Sequence, residues 1–145
     1  MSLYQVILHT DGSCSRNGSE TAVGGWCAIL ICNGHEKVLR GYESHTTNNR
    51  MELRAVIEGV RALKKPSSVT VHTDSTYVCT GAANMKKWLR MPQNPHANMD
   101  LWSELITVSK EGGHHITFQH VKGHAGDPMN ERCDAIARQQ STQTI

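Results

Sequence analysis

The first apolar stretch, Leu3-Tyr-Gln-Val-Ile-Leu-His-Thr10, has the aliphatic and β-branched content of a strand. A second run, Val23-Gly-Gly-Trp-Cys-Ala-Ile-Leu-Ile31, and a third over about 36–44 continue the pattern, and Asn33-Gly34 between them predicts a type I′ hairpin. The stretch 12–22 is rich in Gly, Ser and Asn and reads as a turn or a close-approach loop. The period then changes. Leu53, Val56, Ile57, Val60 and Leu63 recur at helical spacing from about Asn48, and Lys64-Lys65-Pro66 supplies a basic end and a stop. A fourth strand is expected at 69–73, with Ser75 capping a short helix that runs to Gly81. Beyond it lie the segments Met85-Lys-Lys-Trp-Leu-Arg90 and 91–99, the latter broken by Pro92 and Pro95. A helix at about 100–110 ends on Gly112-Gly113, a fifth strand covers 115–121, and a last helix covers 128–140. The order βββ-α-β-α-α-β-α predicts an α/β fold, a mixed sheet with helices on its faces.

At 145 residues, without linker or repeat, the chain is expected to form one domain over 1–145, with 140–145 a frayed tail. No apolar run approaches the roughly 20 residues of a membrane span, and the N-terminus lacks a secretory pattern. Five cysteines at 14, 27, 32, 79 and 133 include no C-x-x-C pair, which argues against a zinc ribbon or disulfide framework and for a reduced, cytoplasmic location. No membrane partner and no obligate protein partner are expected, the chain acting as a monomer.

Four acids change this picture. Asp11 and Asp74 follow strand-like runs, Glu52 lies in the first turn of a predicted helix, and Asp134 lies inside another. On a helical wheel centred on Leu53, Val56, Ile57 and Val60 fall within about 60° and Glu52 about 100° to one side, so Glu52 borders the buried stripe. Met129, Cys133, Ile136 and Ala137 define the apolar face of the last helix, with Asn130 and Asp134 together on its margin. Each acid also has a plain structural role available, as a turn or cap residue, a dipole partner or a solvated surface group. Periodicity permits them to converge without requiring it. If they do, their repulsion calls for divalent cations and points to chemistry on phosphates. Setting the four aside, the net charge of +2 becomes +6, a shape suited to a polyanion, although scattered charge fits the composition equally well.

The residues around the acids are more specific. Thr10-Asp-Gly-Ser-Cys14, Thr46-Thr-Asn-Asn-Arg-Met-Glu-Leu53, Thr73-Asp-Ser75, Val121-Lys-Gly-His-Ala-Gly126 and Asn130-Glu-Arg-Cys-Asp134 occur in that order, and together they closely resemble type 1 ribonuclease H in its bacterial form. The resemblance implies the ribonuclease H fold, a five-stranded mixed β-sheet flanked by α-helices. It implies endonucleolytic hydrolysis of the RNA strand of RNA–DNA hybrids by a two-metal-ion mechanism, leaving 5′-phosphate and 3′-hydroxyl ends. Two Mg²⁺ ions, with Mn²⁺ as a substitute, are the implied cofactors, and oxygen-only ligands suit both.

Carried over by motif, Asp11, Glu52, Asp74 and Asp134 are the metal-binding and catalytic acids, and His124 is the mobile catalytic histidine. Cys14, Asn17, Asn48 and Asn49 would line the minor groove and read the 2′-OH. Thr47 and Arg50 resemble positions that hold a DNA-strand phosphate, and Asn130 would position the scissile region. Asn48 alternatively serves as a helix N-cap. Lys86, Lys87 and Trp88 retain part of a basic, tryptophan-rich protrusion common in bacterial members, shortened here and followed by Pro92, Asn94 and Pro95. Its alternative is an amphipathic helix with Trp88 and Leu89 inward. Thr76, Asp127 and Met129 also depart from the family pattern.

Overall fold

The structure, a computed structural model, describes residues 3–89, 97–123 and 126–143. Its elements follow the expected order: β1 (Tyr4–Ser15), β2 (Val23–Cys32), β3 (His35–Ser44), α1 (Asn48–Arg61), β4 (Ser67–Thr73), α2 (Thr76–Leu89), α3 (Met99–Gly112), β5 (His115–His120) and α4 (Pro128–Gln140). The five strands form one mixed sheet in the order β3-β2-β1-β4-β5. The first three strands pair antiparallel, and β4 and β5 add in parallel to β1, which is therefore central.

Local chemistry accounts for most boundaries. Asn33 and Gly34 take φ values of 50° and 77°, the left-handed pair that a type I′ hairpin demands. Ser75 Oγ accepts the Val78 amide at 3.1 Å and so caps α2 as expected. Asp127 Oδ1 accepts the amides of Met129 and Asn130 at 3.0 and 3.2 Å, and Pro128 opens α4 behind it.

Two boundaries differ from the sequence reading. β1 does not end at Thr10 but continues to Ser15, because Gly12 to Ser15 pair with Trp26 to Val23 of β2. The polar and small residues there mark a close approach rather than a loop. Gly81 does not end the helix begun at Ser75. α2 runs through it to Leu89, because a Cβ at Gly81 would collide with the Trp102 ring. The roughly 1 kcal/mol helical cost of glycine is offset by seating a fully buried indole.

Helices cover both sheet faces. Leu53, Val56, Ile57 and Val60 of α1 pack with Val6, Leu8, Val69 and Val71 of the sheet and with Leu101, Trp102 and Leu105 of α3. Burying each such side chain contributes on the order of 1.5–3 kcal/mol. On the other face Cys133 and Ala137 of α4 pack with Cys27 and Ile29. This sandwich holds β1 between α1 on one face and α4 on the other.

Candidate active site

The site begins with strand register. His9 of β1 stands opposite His72 of β4, their rings 5.0 Å apart, and the strands run in parallel. Asp11 and Asp74, each two residues further on, therefore emerge side by side. Asp11 lies within β1 rather than at its end, opposite Cys27 of β2. Glu52 reaches the same point because α1 comes down onto Gly12, where a Cβ would collide with the backbone of Met51 and Glu52. One carboxylate oxygen from each of Asp11, Glu52 and Asp74 lies within 4.8 Å of the other two.

These charges are costly where they stand. Asp11 is 3% exposed and Glu52 8%. Asp11 Oδ1 accepts the Gly12 amide at 3.0 Å. Asp11 Oδ2 and Glu52 Oε2 are buried, and no N–H or hydroxyl reaches either. Burial first, then the charges of Asp74 and Asp134, push the Asp11 carboxyl up to about 7. Burial and the neighbouring Asp11 raise Glu52 well above the carboxylate range. The close approach of the two carboxyls pulls Asp11 down and lifts Glu52 further. A divalent cation would relieve the pair. Two orphaned buried oxygens beside a third carboxylate, with only oxygen donors, fit Mg²⁺ or Mn²⁺.

Asp134 is not one of these three mutually close carboxylates. It lines the same open depression of about 530 Å³, but Arg138 Nε engages it at 3.1 Å from Oδ1 and 3.0 Å from Oδ2. His124 lies outside the described residues. Gly123 before it backs onto Asp74, where an added Cβ would stand 3.0 Å from Oδ2.

The expected substrate residues spread along one side. Cys14 and Asn48 line the depression. The Asn17 side chain accepts the Asn48 amide at 2.8 Å, so it ties the β1–β2 loop to the start of α1. Thr47, not Asn48, caps α1, its Oγ1 accepting the Arg50 amide at 3.2 Å. That leaves the side chains of Asn48 and Asn49 exposed on the first turn. Arg50 is already engaged, in a two-point pair with Asp100 and a 3.2 Å bond to Asn98. Asn130 is buried one turn before Asp134. Lys87 is exposed on α2, while the side chains of Lys86 and Trp88 and the segment 90–96 lie outside the described residues.

The RNase H family model matches residues 4–142. The chain belongs to the RNase H family. A Ribonuclease H of Caldicellulosiruptor saccharolyticus is 47% identical over 143 residues, covering 94% of this chain and 95% of that protein. A Ribonuclease H of Bordetella pertussis is 48% identical over 141 residues, with 93% and 88% covered. Among solved structures, LC9-RNase H1, described as a type 1 RNase H with the type 2 active-site motif, superposes with a TM-score of 0.77 at 26% identity, over 97% of this chain and 74% of that one. This RNase H thus has the five-stranded mixed sheet and flanking helices of a bacterial-type member, with a carboxylate trio able to hold a divalent cation.

Three residues lining the depression were not picked out in the sequence. Two are Ser15 and Ser141, and serine in a polar stretch carries no signal of its own. Arg138 did leave one, since Asp134 and Arg138 stand at i and i+4 with the acid first.

Proposed function

We propose that the chain is an endoribonuclease that hydrolyses the RNA strand of RNA–DNA hybrids, using two divalent cations and leaving 5′-phosphate and 3′-hydroxyl ends. The observation that carries the reading is the convergence of Asp11, Glu52 and Asp74, two of them buried with an orphaned oxygen, inside an RNase H fold. Asp11, Glu52 and Asp74 would hold Mg²⁺, with Asp134 as a fourth ligand and Mn²⁺ as a substitute. When bound, the cations neutralise developing negative charge and lower the pKa of attacking water.

The chain's own residues do the rest. Asp11 and Glu52 are pre-positioned by Gly12 and the α1 packing, so no reorganisation is needed during reaction. His124, on a glycine-flanked loop, would move a proton near the scissile phosphate. Cys14, Asn17, Asn48 and Asn49 would test for the 2′-OH, the group that distinguishes RNA from DNA. Thr47 and Arg50 would take a DNA-strand phosphate, Asn130 would steady the scissile region, and Lys86, Lys87 and Trp88 would form a shortened handle on the backbone. Five free cysteines suit a reducing cytoplasm.

Incubation with labelled RNA–DNA hybrid, duplex DNA, duplex RNA and single strands, each with Mg²⁺ or EDTA, tests the reading. Cleavage confined to the RNA of the hybrid and dependent on Mg²⁺ is expected. Cleavage of duplex DNA, or hybrid binding without Mg²⁺-dependent cleavage, overturns it.

A further inference from the structure

We infer that Arg138 competes with a divalent cation for Asp134, so that the ion pair between them sets how readily the fourth carboxylate enters the cation site. The inference rests on the cation site proposed above.

Asp134 lines the same depression as Asp11, Glu52 and Asp74, and its charge is felt at Asp11. Among the described residues, the mutually close carboxylate oxygens nonetheless belong to the other three acids. What occupies Asp134 is the guanidinium of Arg138, one turn later on α4, with Nε at 3.1 and 3.0 Å from its two oxygens. Arginine keeps its charge at every working pH, so the pair is not released by loss of the guanidinium proton.

The backbone of Arg138 is fixed. Its carbonyl accepts Ser141 Oγ at 2.7 Å, and the Ser141 carbonyl accepts Ser15 Oγ from β1 at 3.1 Å. Only the arginine side chain has to move, and with 62% of it exposed it has room to do so.

Magnitude decides whether the competition matters. An exposed ion pair of this kind shifts an equilibrium about two- to five-fold. That is enough to raise the cation concentration needed for Asp134 to join. It is too little to keep the acid out once a cation is present. The trio is thus a standing site, and Asp134 is a conditional ligand whose threshold Arg138 sets.

Mn²⁺ titrations followed by the EPR signal of the free aquo ion, on wild type, Arg138→Gln, Asp134→Asn and the double variant, test this directly. Arg138→Gln should tighten Mn²⁺ binding about two- to five-fold at low salt, and added KCl, which screens the pair, should shrink the gain. In the Asp134→Asn background the same substitution should change nothing. Arg138→Lys, which keeps the charge without the paired contact, should tighten binding less than Arg138→Gln. Equal tightening in both backgrounds overturns the inference, because Arg138 would then act only as a nearby positive charge. Unchanged affinity in Arg138→Gln, with wild type binding Mn²⁺, also overturns it and leaves the cation site standing. Wild type that binds no Mn²⁺ overturns the cation site and this inference with it.

Discussion

Asp100, at the start of α3, grips Arg50 of α1 with both carboxylate oxygens, at 3.0 Å from Nη1 and 2.8 Å from Nη2. The cation proposed to meet a DNA-strand phosphate is thus neutralised before substrate arrives. Asn98 also holds Nη1, at 3.2 Å, so Arg50 keeps its place without Asp100. Asp100→Asn should therefore tighten hybrid binding about two- to five-fold and steepen its logarithmic salt slope by up to about one. The cost in stability should stay near 1 kcal/mol, since Asp100 is exposed, Arg50 is only half-buried, and Asp100 also faces the α3 dipole. A binding series against KCl checks the first claim; an unchanged slope would show that Arg50 meets no phosphate.

Asp11→Asn should abolish cleavage while sparing hybrid affinity, because the lost charge acts on the reacting phosphate rather than on the grip of the duplex. The same substitution should raise the stability of the metal-free protein by on the order of 1–3 kcal/mol, since it removes a charge from a buried, self-repelling cluster. Urea unfolding in EDTA, beside single-turnover assays, separates the two effects. Residual turnover near wild type would move the catalytic centre elsewhere.

Gly12→Ala should be far more damaging than a single methyl group suggests. The new Cβ would collide with the backbone of Met51 and Glu52, which cannot rotate away. We expect a loss of about 2 kcal/mol or more together with a fall in Mg²⁺ affinity, because α1 must lift and take Glu52 with it. Retained stability with retained Mg²⁺ binding would mean the strand and helix tolerate greater separation than the structure indicates.

His114 Nδ1 accepts the amide of Ser67, the first residue of β4, at 3.1 Å, and burial holds this histidine below its usual pKa. The unfolded chain then takes up the proton at higher pH than the folded one. The stabilising effect of the neutral ring is complete above about pH 6.5 and is lost as pH falls toward the lowered folded value. His114→Asn keeps an acceptor but does not titrate. Its melting temperature should fall less than that of wild type between pH 7.5 and 5, because the other eight histidines are common to both. Parallel melting curves would remove His114 from the acid response.

Much of the architecture was legible in the chain. The i, i+3, i+4, i+7 spacing from Leu53 to Val60 described α1, Asn33-Gly34 described a hairpin, and Asp127-Pro128 opened α4 where the last helix was expected. Helix period, turn chemistry and capping are local properties, so a short window of residues carries them. The motifs around Asp11, Glu52 and Asp74 likewise singled out three acids whose carboxylate oxygens converge in the fold.

What escaped the chain depends on contacts between distant segments. Gly12 and Gly81 look like breakers in one dimension. In three they are points where α1 and Trp102 leave no room for a Cβ, and the strand and helix run on through them. Arg50 looked like a free phosphate ligand until α3 brought Asp100 against it, and Asp134 looked equivalent to the other acids until Arg138 was seen to hold it. The sequence by itself determined the elements, the family and the identities of the acids, because these follow from local periodicity and motif. Only the tertiary structure decided which carboxylates lie close enough to share a cation and which is held by an arginine, because those distances are set by sheet order and helix packing.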